Sequence, residues 1–279
     1  MTVLISATDL RSLDGPFVLL DVRWALGDDR GRERYLDGHL PGAVFVDLET
    51  ELADPPSPAD GRHPLPSLQR LQQSARRWGI RQDDPVVVYD AAGGLAAARA
   101  WWLLRWGGLA DVRLLDGGLD AWTRAGGPVE PGDVVPEPGD VTLVGGGMPV
   151  LTIDEAAALP ASGGVLLDAR AGERYRGEVE PIDLRAGHVP GAVSAPTTEN
   201  LGPDGTFLRT PELVDRFVGL GVGPRKKVGV YCGSGVTAAH EVAALAAAGI
   251  EAALWPGSWS QWSSDPSRPA ATGPLSAGP

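Results

Sequence analysis

The chain carries one unit written twice, and that repeat restricts its fold more than any other feature. FVLLDVR at 17–23 returns as VLLDAR at 165–170, and GHLPGAV at 38–44 returns as GHVPGAV at 187–193. VVVYD at 86–90 answers VGVYC at 228–232, and DGGLDAW at 116–122 answers PGSWSQW at 256–262, always in the same order. Two copies of one plan within 279 residues fit two domains of ordinary size. In the first copy, apolar runs predict strands over 18–20, 86–89 and 112–115, and amphipathic stretches predict helices over 68–78 and 95–106. The second copy predicts strands over 165–167, 228–231 and 252–254, with helices over 154–159, 212–220 and 238–248. Strands that alternate with helices become parallel neighbours joined by helical crossovers, so each half is expected to be an α/β domain with helices on both faces of its sheet. PGDVVPEPGD and GGGMP suit a connection. The expected division is therefore a first domain over 1–130, a linker over 131–149, a second domain over 150–265 and a tail over 266–279 trailing on the surface.

Cys232 is the chain's only cysteine. It stands in a turn between the predicted strand and helix of the second copy. A lone cysteine is ordinarily a small buried hydrophobe, but this one is followed by Gly233, Ser234 and Gly235. Glycines let the backbone fold back tightly, so N–H groups of residues 233–237 can point at the sulfur, and the following helix adds its positive N-terminal end. Both features stabilise negative charge on the sulfur, the form in which cysteine is a nucleophile. A formal charge of −12 argues against a nucleic-acid partner or an anionic membrane surface, so small anions must be captured locally. One cysteine excludes an intramolecular disulfide or a thiolate zinc cluster and fits a reducing compartment. The first residues show no basic leader with an apolar core, and no apolar run approaches membrane-spanning length. The expectation is a cytoplasmic protein.

CGSGVT at 232–237 resembles the active-site loop of the rhodanese superfamily in its 3-mercaptopyruvate sulfurtransferase form. The thiosulfate-specific form usually has basic residues directly after the cysteine. The resemblance covers nearly the whole chain and implies two tandem rhodanese-like domains, each a mainly parallel sheet. It implies Cys232 as the persulfide-forming nucleophile, with Gly233, Gly235, Val236 and Thr237 as its cradle. Ser234 and His39 would form a relay with Asp28 or Asp29. His188, in the same GHxPGA context, is expected to serve the fold. Arg174 in GERYRG matches the arginine that binds the donor's anionic end, with Arg176 two residues on. A second arginine, found in an EPEPR-like segment of such enzymes, is missing here: the segment reads EVEPIDLR, with Asp183 near that place and Arg185 as the substitute. Asp90 occupies the cysteine's place in the first copy. It cannot hold transferable sulfur, and AAGGLAAA lacks the rest of the loop, so the first domain is expected to act as scaffold. The repeated DVR and DAR, with Arg23 and Arg170 directly after Asp21 and Asp168, suggest a structural ion pair or a turn in each copy. Trp255, Trp259 and Trp262 are expected either to wall the pocket or, as aromatics more often do, to lie in the core.

The function this resemblance implies is transfer of sulfane sulfur from 3-mercaptopyruvate, through a Cys232 persulfide and with no metal or organic cofactor, to a thiol or cyanide acceptor, a thioredoxin-like protein among them. Thiosulfate is the alternative donor. A sulfur-carrier or binding module without turnover is the alternative of a different class. A cysteine phosphatase needs an arginine at the sixth position after the cysteine, where this chain has Ala238.

Overall fold

The computed structural model describes residues 2–274. These fall into two compact units. The first gathers the chain up to Asp54, Leu65–Met148 and Leu201–Phe207. The second gathers Pro55–Pro64, Pro149–Asn200 and the chain from Leu208 onward. Each unit thus takes in a short segment from the other half of the sequence, an exchange that the repeat does not announce.

The first unit contains β1 (Leu4–Ile5), α1 (Ala7–Arg11), β2 (Val18–Asp21), α2 (Gly31–Asp37), β3 (Val44–Phe45) and α3 (Leu48–Glu51). It continues with α4 (Leu68–Arg77), β4 (Val86–Tyr89), α5 (Ala97–Trp106), β5 (Val112–Leu115) and α6 (Gly118–Arg124). The sheet order is β1-β5-β4-β2-β3 with every pairing parallel. Leu19, Val87, Tyr89 and Leu115 pack with Leu10 and Trp122 on one face. Their alternates Leu20, Val86, Val88 and Leu114 are also buried, so helices cover both faces.

The second unit contains α7 (Ile153–Ala158), β6 (Val165–Asp168), α8 (Gly172–Arg176), β7 (Val193–Ser194) and α9 (Thr210–Gly219). After these come β8 (Val228–Tyr231), α10 (Thr237–Ala247), β9 (Ala253–Leu254) and α11 (Ser258–Ser264). Its sheet, β7-β6-β8-β9, is likewise parallel. Trp255, Trp259 and Trp262 lie in the core with Tyr231 and Leu166. No helix among the described residues is long and apolar enough to cross a membrane.

The repeated motifs build the same framework twice. Arg23 pairs with Asp21 at 2.9 Å and Arg170 with Asp168 at 2.6 Å, both pairs buried. Tyr35 donates its hydroxyl to the Ala43 carbonyl at 2.8 Å, as Tyr175 does to Ala192 at 2.7 Å.

Two stretches behave differently from their composition. The expected linker is packed: Val141 is fully buried, and Arg76 Nε donates to its carbonyl at 2.9 Å. The Gly139 amide donates to Arg76 at 2.8 Å, and the Leu143 amide to Gln72 at 2.9 Å. The tail is tied down as far as Gly273, through an antiparallel bridge between His188 and Ala271 and a 2.8 Å bond from the Gly273 amide to the Arg176 carbonyl. In both stretches side chains or strand-like bridges satisfy the backbone. The rest of the expected tail, 275–279, lies outside the described residues.

Candidate active site

Cys232 directly follows β8 and is 2% exposed. Its Sγ accepts the Gly235 N–H at 3.2 Å. Gly235 has φ +77°, and a side chain there would collide with the Pro256 carbonyl, so the loop turns over at a point only glycine tolerates. Val236, buried, immediately precedes α10, and Thr237 opens it. The start of α11 clamps the loop from behind. Trp259 N–H donates to the Cys232 carbonyl at 3.0 Å and Ser260 N–H to that of Gly233 at 2.9 Å. Ser258 Oγ accepts the Cys232 N–H at 3.1 Å and donates to the Trp255 carbonyl at 2.9 Å.

Ser234 lies two residues beyond the cysteine, 6% exposed, with its Oγ 2.7 Å from Nδ1 of His63. His63 is itself buried and belongs to the Pro55–Pro64 segment of the second unit. It was not among the residues expected from sequence. A signal for it existed, because His39 and His188 repeat in register whereas His63 has no counterpart.

His39, expected in the relay, is engaged by partners within its own unit. It is fully buried, its Nδ1 lies 2.9 Å from the Tyr35 carbonyl, and its ring stacks on Tyr35 at 4.1 Å. His188 repeats this arrangement on Tyr175, at 2.8 Å and 3.7 Å. The pair holds the repeated turn in each unit, and burial lowers the His188 pKa from its ordinary value. Asp28 is committed to Arg34, whose hydrogen bond lowers the carboxyl's pKa. Asp28 and Asp29 both line a cleft of about 520 Å³ in the first unit, whose lining includes neither Cys232 nor Ser234.

Around Gly233 the second unit builds a chain of alternating charge. Asp168 pairs with Arg170 at 2.6 Å, Arg170 with Glu180 at 3.4 Å and Glu180 with Arg174 at 2.6 Å. Arg174 reaches Asp183 at 3.2 Å, and Asp183 pairs with Arg62. Alternation lets each partly or fully buried ion meet opposite charge. Burial raises the Asp183 pKa, the Arg62 charge lowers it and the Glu180 charge raises it, with a net upward shift. A methyl group built on Gly233 would lie 3.0 Å from Arg62 Nη2 and 3.4 Å from Arg174 Nη1, so both guanidiniums close on the residue after the cysteine.

Arg185 does not join them. Its Nε donates to the Ser263 carbonyl at 3.1 Å and its Nη1 to that of Arg268 at 2.8 Å. Its Nη2 donates to Trp262 at 2.9 Å and Asp265 at 2.7 Å. These bonds engage the open carbonyls at the end of α11, an interaction that fixes the helix rather than a ligand. Arg176 pairs with Glu178 at the surface, at 2.7 Å.

The first unit's loop, although it lacks the rest of the CGSGVT sequence, also gathers backbone N–H groups. Asp90, 1% exposed, accepts the N–H groups of Ala92 and Gly94 on Oδ1, at 2.8 Å each. It accepts those of Ala96 and Ala97 on Oδ2, at 2.8 and 3.0 Å. The N–H groups converge as anion binding requires, and the side chain's own carboxylate fills the place.

A family model described as a rhodanese-like domain matches residues 6–125 and 152–265, and the chain belongs to that family. It is a tandem-domain sulfurtransferase. It is 52% identical, over 97% of both chains, to a Mycobacterium tuberculosis protein provisionally named thiosulfate sulfurtransferase. It is 50% identical, over 92% of both chains, to a Pseudomonas aeruginosa protein provisionally named 3-mercaptopyruvate sulfurtransferase. The crystal structure of the Escherichia coli 3-mercaptopyruvate enzyme superposes with a TM-score of 0.82 at 35% identity, covering 93% of this chain and all of the other.

Proposed function

We propose that the protein takes sulfur from 3-mercaptopyruvate onto Cys232, releases pyruvate, and passes the sulfur to cyanide or to a thiol, including the exposed thiol of a thioredoxin-like protein. The Cys232 thiolate attacks the donor sulfur, forming the S–S bond while the donor's C–S bond breaks. The electron pair of that bond moves to the carbon, giving the enolate of pyruvate, which takes up the proton the donor sulfur loses. Cyanide then attacks the outer sulfur of the persulfide, leaving as thiocyanate and restoring the thiolate. The Gly235 N–H faces the sulfur, and Arg174 pairs with the donor's carboxylate.

The observation that carries the donor assignment is the 2.7 Å contact between Ser234 Oγ and His63 Nδ1. A hydroxyl held by an imidazole is suited to an oxygen that gains charge as the enolate forms, and to the proton moving there. Thiosulfate has no such carbon–oxygen centre and breaks no C–S bond. It is the second reading, favoured by the two guanidiniums facing Gly233 and by the name of the mycobacterial relative.

The test is kcat/KM for both donors with the same acceptor, in wild type and His63→Ala. Wild type should prefer 3-mercaptopyruvate, and the substitution should lower its kcat by roughly a hundredfold or more, the scale of a lost acid–base group, with little change for thiosulfate. A wild type that prefers thiosulfate leaves the broader sulfurtransferase assignment and removes this donor.

A further inference from the structure

Resting on the reading of Cys232 as the sulfur-bearing nucleophile, we infer that Ser258 is its positioning residue: the serine hydroxyl holds the cysteine's amide from behind and so directs the sulfur. Three described non-glycine residues have positive φ, namely Asp83, Arg225 and Ser258. Asp83 and Arg225 are exposed, whereas Ser258, at φ +54°, is fully buried. An L-residue is strained in that conformation, which glycine adopts readily. The first unit does use glycine at this step: DGG at 116–118 stands where PGS stands at 256–258, and Gly118 has φ +56°. A side chain on Gly118 would collide with the Asp90 carbonyl, so that unit has no room for one. The second unit keeps the same backbone turn, makes the room and places a hydroxyl in it.

That hydroxyl donates to the Trp255 carbonyl at 2.9 Å, which turns a lone pair to the Cys232 N–H at 3.1 Å. The next residue, Trp259, donates its N–H to the Cys232 carbonyl at 3.0 Å. Consecutive residues at the start of α11 thus hold both peptide groups of Cys232, and with them the direction of its Cα–Cβ bond toward the Gly235 N–H. The first unit keeps the second of these holds, from the Leu119 N–H to the Asp90 carbonyl at 2.9 Å. With glycine at 118 it has no side chain for the first. Asp90 is located instead by the four N–H groups on its own carboxylate. A sulfur that must be loaded and unloaded cannot be fastened in that way, so its place is set through the backbone that carries it.

Ser258→Ala and Ser258→Gly test this together. Both remove the hydroxyl, but alanine keeps a side chain at positive φ and glycine relieves it, as in the first unit. Cys232 is the only cysteine, so the rate of iodoacetamide alkylation against pH reads its thiolate alone. In both variants the midpoint should rise by about half a pH unit or more, because the sulfur drifts from the N–H that stabilises its charge. Sulfur transfer should lose roughly tenfold or more in kcat, with KM changed less. Ser258→Gly should be no less stable to urea than Ser258→Ala, yet no faster. A midpoint and a kcat indistinguishable from wild type in folded Ser258→Gly would overturn the inference, since the hydroxyl would then serve only α11. So would a wild-type rate in Ser258→Gly beside a slow Ser258→Ala, because the backbone turn rather than the hydroxyl would then set the sulfur. Alkylation needs no donor, so these outcomes stand whichever donor the protein prefers. Sulfur transfer retained by Cys232→Ser would remove the nucleophile itself, and the role of Ser258 with it.

Discussion

Replacing Asp90 with alanine should cost the first unit far more than a typical surface change. The carboxylate accepts four backbone N–H groups at 2.8–3.0 Å and is 1% exposed. Hydrogen bonds to a charged group contribute about 1.5–3 kcal/mol each. They are not additive here, because water can enter the space and α5 can fray by a turn. A loss of roughly 3–5 kcal/mol is therefore expected, the range for removing one member of a buried charged arrangement. Urea unfolding followed by tryptophan fluorescence measures it, since α5 carries Trp101, Trp102 and Trp106. Asp90→Gly should be partly restored by millimolar formate, a carboxylate small enough to re-enter the cradle, whereas wild type should not respond. If Asp90→Ala lies within about 1 kcal/mol of wild type, the four bonds are not a stabilising anion site, and the parallel between Asp90 and a persulfide-bearing Cys232 fails.

Cys232→Ser should keep its fold and lose sulfur transfer, and intact-mass measurement after donor treatment should show one added sulfur on wild type and none on the variant. Arg185→Ala should lower stability by roughly 2–4 kcal/mol, because backbone carbonyls around the end of α11 lose their donor, while KM for the donor stays within twofold. A tenfold rise in KM would instead show that Arg185 contacts the donor. Glu241 on α10 is fully buried, and burial raises its pKa from the ordinary 4.5 to about 7 against the opposing effects of Arg216 and Asn200. Between those values the folded protein keeps a proton that the unfolded chain releases, so this group's contribution is greatest below pH 4.5, falls as the pH rises, and levels above 7. Glu241→Gln should remove a fall of about 3 kcal/mol from the urea stability profile, leaving one of similar size from Asp21, which burial raises to about 6. An unchanged profile would show that Glu241 ionises alike in both states.

The strands and long helices were legible because their periodicity is local. The predicted helix over 238–248 stands at Thr237–Ala247, and the predicted strand over 86–89 at Val86–Tyr89. The irregular segments were not. Proline and glycine mark the absence of regular hydrogen bonding within residues 130–149, but say nothing of the Arg76, Gln72 and Gln82 side chains that satisfy it from elsewhere. Nor does chain order reveal that residues 55–64 join the second unit, since the glycine at 61 and the serine at 260 that secure the segment are far apart in sequence. The place of Arg185 is hidden for the same reason. Its partners are carbonyl oxygens, which any residue supplies and no motif records.

Repetition itself separates scaffold from chemistry, with one instructive exception. Asp21 and Asp168, Tyr35 and Tyr175, and His39 and His188 recur in register and make the same bonds twice. Cys232, Ser234 and His63 do not recur. A further difference lies just behind the loop, where the first unit places Gly118 at φ +56° and the second places Ser258 at φ +54°. A non-glycine residue there costs about 1 kcal/mol or more of backbone strain. The hydroxyl that brings this cost is the one that holds the Cys232 amide, so the strain is tolerated on the cysteine's side only. The exception is Arg174, which Arg34 matches in the same ERY sequence. Arg34 is taken by Asp28 within the first unit, whereas Arg174 shares Asp183 with a second arginine and keeps Nη1 toward Gly233. The same residue at the same step of the fold is thus spent in one unit and available in the other, and the carboxylates that pair with it decide which.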